Sequence, residues 1–177
     1  MFEAYVNFVK NNLILSSFVQ FAILGLLGEY AGMWVREKRI FNPFGVVQSI
    51  LKSIGWGILG IIIKYAFTGF VAFNNGLIEH GLLLRSFKSL WIFAFFTSFF
   101  MNILFGPQLM YLHRFFDNLI MKTKGYDEIE GALKTLIWFW IPAHTITFTL
   151  PVEFRIGLAA LWSVILGIIL GFFKRKN

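Results

Sequence analysis

The chain has 177 residues, of which 58% are hydrophobic and only 14% charged, and its mean hydropathy is +0.71. Soluble domains carry about 25% charged residues, and a chain this short buries only part of its surface, so a soluble fold is excluded. The formal net charge of +7 sits between apolar runs, which suits contact with anionic headgroups and excludes a nucleic-acid partner. The absence of cysteine excludes disulfides, thiolate catalysis and cysteine-ligated metals.

Residues 2–10 place Phe2, Tyr5, Val6 and Val9 on one side, which predicts a short helix lying in the membrane interface. The apolar run from Leu13 is too long for a signal-peptide core and lacks a small-residue cleavage site, so it predicts a first spanning helix over 13–35. Arg36-Glu37-Lys38-Arg39 stops it, and Asn42-Pro43 marks a turn. A second helix is expected over 44–73, with Asn74-Asn75-Gly76 as its end. At about 1.5 Å per residue it outruns a hydrocarbon core of about 30 Å and must tilt or protrude. A third is expected over 87–112, kinked where Gly106-Pro107 removes a backbone hydrogen bond.

Residues 113–134 carry Asp117, Lys122, Lys124, Asp127, Glu128 and Glu130 and read as a charged loop or short surface helix. The final apolar stretch is punctuated by Pro142, Pro151, Glu153 and Arg155 and is too long for one straight crossing. It is either a hairpin turning near Pro151, with helices over 135–150 and 155–173, or one crossing followed by a helix along the bilayer. Five crossings gather the basic residues of 36–39, 122–134 and 174–176 on one side, whereas four split them; the bias favours five and a cytoplasmic C-terminus. The fold class is all-α: a polytopic helical membrane protein of four to five hydrophobic helices, in one bundle and one domain over 1–177.

Polar groups inside lipid are costly and point to function. Glu29, in the first helix, is either a pore-lining carboxylate or a near-interface group bonded to a neighbouring helix. Lys64 falls near the far end of the second helix, where its stem can snorkel to the interface. Asn102, Gln108 and His113 flank Pro107, where a kink would free carbonyls for a polar lining; amides at such places also bond across to neighbouring helices. His144 and Thr145 follow Pro142, with Thr145 and Thr149 on one helical face. Glu29, Asn102, Gln108, His144 and Thr145 are therefore the candidate polar path. Gly28/Gly32 and Gly167/Gly171 have the spacing of close helix contacts. His80, His113 and His144 lack ligand spacing, so no metal is expected. No phosphate-cradling glycine loop and no nucleophile with a base appears, so neither a cofactor nor an enzyme is expected.

Pro142-Ala143, Phe148, Leu150-Pro151 and Phe154-Arg155 resemble the C-terminal signature of the Mpv/PMP (Mpv-seventeen) family of peroxisomal and mitochondrial integral membrane proteins. Asn102 and Pro107 resemble that family's aspartate-glutamine and proline, and Gly28-Glu29 its early glycine-aspartate pair. The chain departs from the pattern in three ways. Pro142 and Pro151 stand two residues closer than the family's prolines, Ile141 takes the place of the usual tryptophan, and His144 or Thr145 falls where glutamine is expected. The resemblance implies a small helical membrane protein for which channel or pore activity is proposed. It gives Pro107, Pro142, Pro151 and Arg155 structural roles and brings no catalytic residue. Short loops and the lack of an Arg-rich leader suit a prokaryotic cell membrane, with a mitochondrial or peroxisomal membrane as the alternative. The first functional reading is a pore for small solutes or ions, either single-file within one chain or through a homo-oligomer. The rivals are a structural membrane protein, with Gly28, Gly32, Gly167 and Gly171 as its contact surface, and a lipid-handling one.

Overall fold

The computed structural model describes residues 2–126 and 129–174; Asp127, Glu128, Arg175, Lys176 and the side chain of Phe2, all named above, lie outside the described residues. Those residues are all helical in architecture: α1 (Phe2–Asn11), α2 (Leu13–Glu37), α3 (Val46–Glu79), α4 (Leu90–Leu104), α5 (Gly106–Met121), α6 (Ile129–Thr135), α7 (Ile141–Thr149) and α8 (Val152–Phe173). A 3₁₀ turn (Arg85–Lys88) precedes α4, and a π turn (Leu136–Trp140) joins α6 to α7. Helices α2, α3 and α8 are each long and apolar enough to cross a membrane, and α4 with α5 makes a fourth such span, bent by 51°.

The first contacts that organise the bundle are made by glycine. A Cβ on Gly28 would stand 2.7 Å from the Ser163 carbonyl oxygen, and one on Gly32 would stand 2.8 Å from that of Gly167. Gly171 in turn meets Gly32. The residue numbers rise together, so α2 and α8 run parallel with their backbones touching, as small residues spaced by four allow. Against α3 the order reverses: Gly57 meets Phe18, Gly60 meets Phe21 and the Ser17 carbonyl, and Ser53 Oγ donates to the Ala22 carbonyl at 2.9 Å. Helices α2 and α3 are thus antiparallel. The same reasoning makes α3 antiparallel to α4 and α5, and α7 antiparallel to α8.

The chain therefore passes along the bundle five times, with α1 lying across the end where α2 begins. There Tyr5 stacks on Phe154 at 5.7 Å, bonds Gln20 at 3.0 Å, and Val9 is buried. This end is called the N-terminal end below; the opposite one, where α2, α5 and α8 finish, is the C-terminal end.

Three expectations are corrected. Helix α3 does not stop at Asn74-Asn75-Gly76 but continues to Glu79. Asn74 is fully buried and donates to the Phe93 carbonyl and Thr97 Oγ1 at 3.1 and 2.8 Å, so its amide ties α3 to α4 where a turn was expected. Second, the span expected over 87–112 is two helices. Pro107 lies in the first turn of α5, where a missing N–H has no partner to lose, so the chain restarts there and bends. Third, 113–134 is not mainly a loop. Helix α5 carries His113 and Asp117 inward and runs to Met121, closing on Lys122 in the left-handed region with φ 54°. Polar residues that looked solvated are on the inner face of a spanning helix.

Of the two readings of the last stretch, the hairpin turning near Pro151 is the one present, and Arg155 braces it by donating Nε to the Leu150 carbonyl at 2.8 Å. Ahead of it the Ile141 N–H reaches back to the Leu136 carbonyl, five residues away, which loosens the helix into the π turn before Pro142. Phe21, Ile63, Phe67, Ala94, Met101, Phe148, Ile156, Ala159 and Ala160 form the main core, toward the N-terminal end.

Candidate functional site

Seven segments close a ring in the C-terminal half of the bundle: α2 touches α3, α3 touches α5, α5 touches α6, the π turn and α7 follow, and α7 touches α8, which returns to α2. The main apolar core lies in the N-terminal half, and Phe21, Ile63, Phe67 and Met101 form its boundary with an open space. The other half holds a cavity of about 900 Å³ that opens toward the C-terminal end, where Arg36, Thr123 and Lys174 line it.

An ionised cluster stands in its wall. Lys52 Nζ lies 2.7 Å from Glu29 Oε2 and also bonds Asp117 Oδ1, while Trp56 Nε1 donates to Glu29 Oε1 at 2.6 Å. His113 Nε2 is 3.6 Å from Glu29 Oε1 and 4.0 Å from Asp117 Oδ2, and its ring sits 4.5 Å from that of Trp56. Local spacing explains the assembly. Lys52 and Trp56 are four apart on α3, and His113 and Asp117 are four apart on α5, so each pair shares a face. The antiparallel packing of α3 and α5 sets the two faces together, and Glu29 arrives from α2. With the Lys52 side chain only 3% exposed, its charge is sustained by the two carboxylates it bridges.

Glu29, His113 and Asp117 also offer three ligand atoms within 4.8 Å of one another. One imidazole and two carboxylates are the right donor types for a divalent ion. Lys52 already supplies the cation between those carboxylates, so these residues fit an internal ion pair better than a resident metal. Spacing among histidines alone could not reveal this group, because two of its three members are acids.

Deeper in the cavity the lining changes character. Asn102 donates to the Ser98 carbonyl at 2.8 Å and lies 3.1 Å from His144 Nδ1; both residues are buried. Trp140 stacks on the His144 ring at 5.0 Å, and its buried Nε1 has no acceptor among the described residues. Between this site and the charged cluster the walls are apolar, with Leu59, Ile63, Met101 and Leu109.

Of the five residues of the expected polar path, Glu29, Asn102 and His144 line this cavity. Gln108 does not: it is exposed on the outer side of α5. Thr145 also lies off the lining and spends its hydroxyl on the Ile141 carbonyl at 2.7 Å. Sequence reasoning missed Lys52, Trp56 and Asp117. The signal for them was a lysine inside an apolar helix with no acid three or four residues away, which obliges a partner on another helix.

Phe67 closes the deep end. It is 3% exposed, its ring is 4.8 Å from Phe148 and 5.4 Å from His144, and it lines both the large cavity and a second pocket of about 120 Å³ at the N-terminal end. One phenyl ring is thus common wall to two openings. Comparison with family models, curated proteins and solved structures returns no match.

Proposed function

We propose that the chain is a membrane pore for small solutes, held closed by Phe67 at one end of an internal cavity. The observation that carries this reading is the cavity itself: about 900 Å³ ringed by helices, with an ionised cluster in its wall. Cavities of several hundred cubic ångströms with mostly apolar walls and a few placed polar groups suit small organic molecules. A polar organic solute is therefore favoured over a bare ion. The resemblance of residues 142–155 to the Mpv-seventeen family points the same way.

Orientation follows from charge. Arg36, Lys38, Arg39, Lys122, Lys124 and Lys174 collect at the C-terminal end, against Lys10, Arg85 and Lys88 at the other. By the positive-inside rule the cavity then faces the cytoplasm of a prokaryotic cell, or the equivalent side of an organelle membrane. The structural rival loses its surface, since Gly28, Gly32, Gly167 and Gly171 are used between α2 and α8 of one chain.

The test is recording from purified protein in planar bilayers. Wild-type openings altered by Glu29→Gln are expected, with Phe67→Ala giving a chain open most of the time. Silence from both wild-type and Phe67→Ala protein of intact helical circular dichroism would refute the pore.

A further inference from the structure

We propose that the N-terminal end of the bundle holds an anion site for a phosphate group, formed by Lys64, Arg155 and the first turn of α8. It lies across Phe67 from the large cavity and stands whether or not the chain conducts.

Lys64 is 8% exposed, on α3, and lines the small pocket with Arg155 and Val152, between walls made by Phe67, Val71 and Ile156. At about 120 Å³ the pocket holds about four times a water's share of liquid volume, about 30 Å³. That admits a tetrahedral oxyanion and leaves little room for an organic solute. A cation against apolar walls is expensive to keep without a counter-charge. Among the described residues no carboxylate lies within ion-pair distance of Lys64.

The acid closest in sequence to the pocket's second cation is Glu153, and it pairs with Lys10 at 3.4 Å. Arg155 donates Nε to the Leu150 carbonyl and sits with its guanidinium carbon 5.6 Å from the Phe148 ring centre; neither contact cancels its charge. Three cations thus share a single carboxylate. The third component is backbone. Helix α8 begins at Val152, on the pocket wall; its N-cap, Pro151, offers no side-chain cap, and Glu153 is the one acid in its first turn. The positive end of a 22-residue helix therefore opens on the same space.

These donors match one chemistry. A guanidinium fork, an ammonium and helix N-terminal N–H groups together are suited to the several acceptor oxygens of phosphate. Lys52 shows what the same side chain does when an internal partner is present: on the same helix it is bridged by Glu29 and Asp117. Lys64 has the burial without a carboxylate in ion-pair contact, and shares Glu153 with Lys10 and Arg155. Val152 and Thr68 are exposed at the rim, so the phosphate can come from a lipid headgroup or from solution.

Thermal unfolding of the detergent-purified full chain separates these sources. Two ligands are titrated: phosphatidic acid, with phosphatidylcholine as its neutral control, and inorganic phosphate. Stabilisation by phosphatidic acid alone identifies the lipid as the source, and stabilisation by both admits free phosphate. In either case Lys64→Gln should weaken binding about tenfold, the loss of one charge-assisted bond, while Lys64→Arg retains it. Val152→Glu, which sets a carboxylate at an exposed position of the rim, should abolish binding in a chain that still folds. The site is overturned if neither ligand stabilises the wild type, or if Val152→Glu and Lys64→Gln bind as the wild type does.

Discussion

In the N-terminal half of the bundle Ser17, Thr97 and Thr147 return their hydroxyls to carbonyls of their own helices, at 2.7, 2.8 and 2.9 Å. In the C-terminal half Lys52, Trp56, Glu29 and Asp117 bond only between helices. The first kind of bond is complete once a helix has formed, so the residue can be packed against anything, and the axis there is filled by Phe21, Phe67, Met101 and Phe148. The second kind exists only when three helices have met. Charges so arranged resist complete burial, and the space beside them stays open. Helix α3 passes through both regimes, with Lys52 paired in the open half and Lys64 without a carboxylate in the closed one.

The comparison breaks first at Lys52. Lys52→Met leaves Glu29 and Asp117 facing one another without their cation, a loss of about 3–5 kcal/mol. The readout is a lower melting temperature of the detergent-solubilised chain. Adding Glu29→Gln to that variant should recover part of the loss, because the two residues share one network. Strict additivity would mean that the cluster is a set of independent charges.

Overpacking the closed half comes next. A Cβ on Gly60 would stand 2.6 Å from the Ser17 carbonyl oxygen, whereas nothing lies within 4 Å of one on Gly69 in the same helix. Gly60→Leu should cost about 1–3 kcal/mol, and Gly69→Leu should stay within about 0.5 kcal/mol of wild type. An equal gain in the two would show that helix propensity, which favours leucine over glycine, rather than contact with α2, decides the outcome.

The smallest effect sharpens the contrast. Ser17→Ala removes a bond to its own helix and should change stability by about 1 kcal/mol or less, with no change in bilayer recordings. A large conductance change from Ser17→Ala would extend the functional lining into the closed half and erase the distinction.

Much of this was legible from residue order. Long apolar runs with few charges can satisfy their backbone in lipid only as helices, so the all-α class and the approximate spans needed no tertiary information. Pro151 was likewise visible as a break, since proline ends one helix and begins another, though a hairpin and a helix along the bilayer both fitted it. Glu29, Asn102 and His144 stood out because polar groups in apolar segments are conspicuous.

Other features depended on contacts between distant residues. Asn74 looked like a helix terminator until Phe93 and Thr97 gave its amide a buried partner. Asp117 looked solvated because 113–134 is locally polar; only the bend at Phe105, the restart of α5 at Pro107 and its packing on α3 turn it toward Lys52. Gln108 and Thr145 share the composition of lining residues, yet the rotation of their helices sends them elsewhere. Sequence by itself determined the all-helical class and the long apolar segments suited to lipid, because backbone hydrogen bonding and hydropathy are local. The tertiary structure alone decided which charges meet and where the bundle stays hollow, because an ion pair between helices depends on their register and rotation, which no single segment encodes.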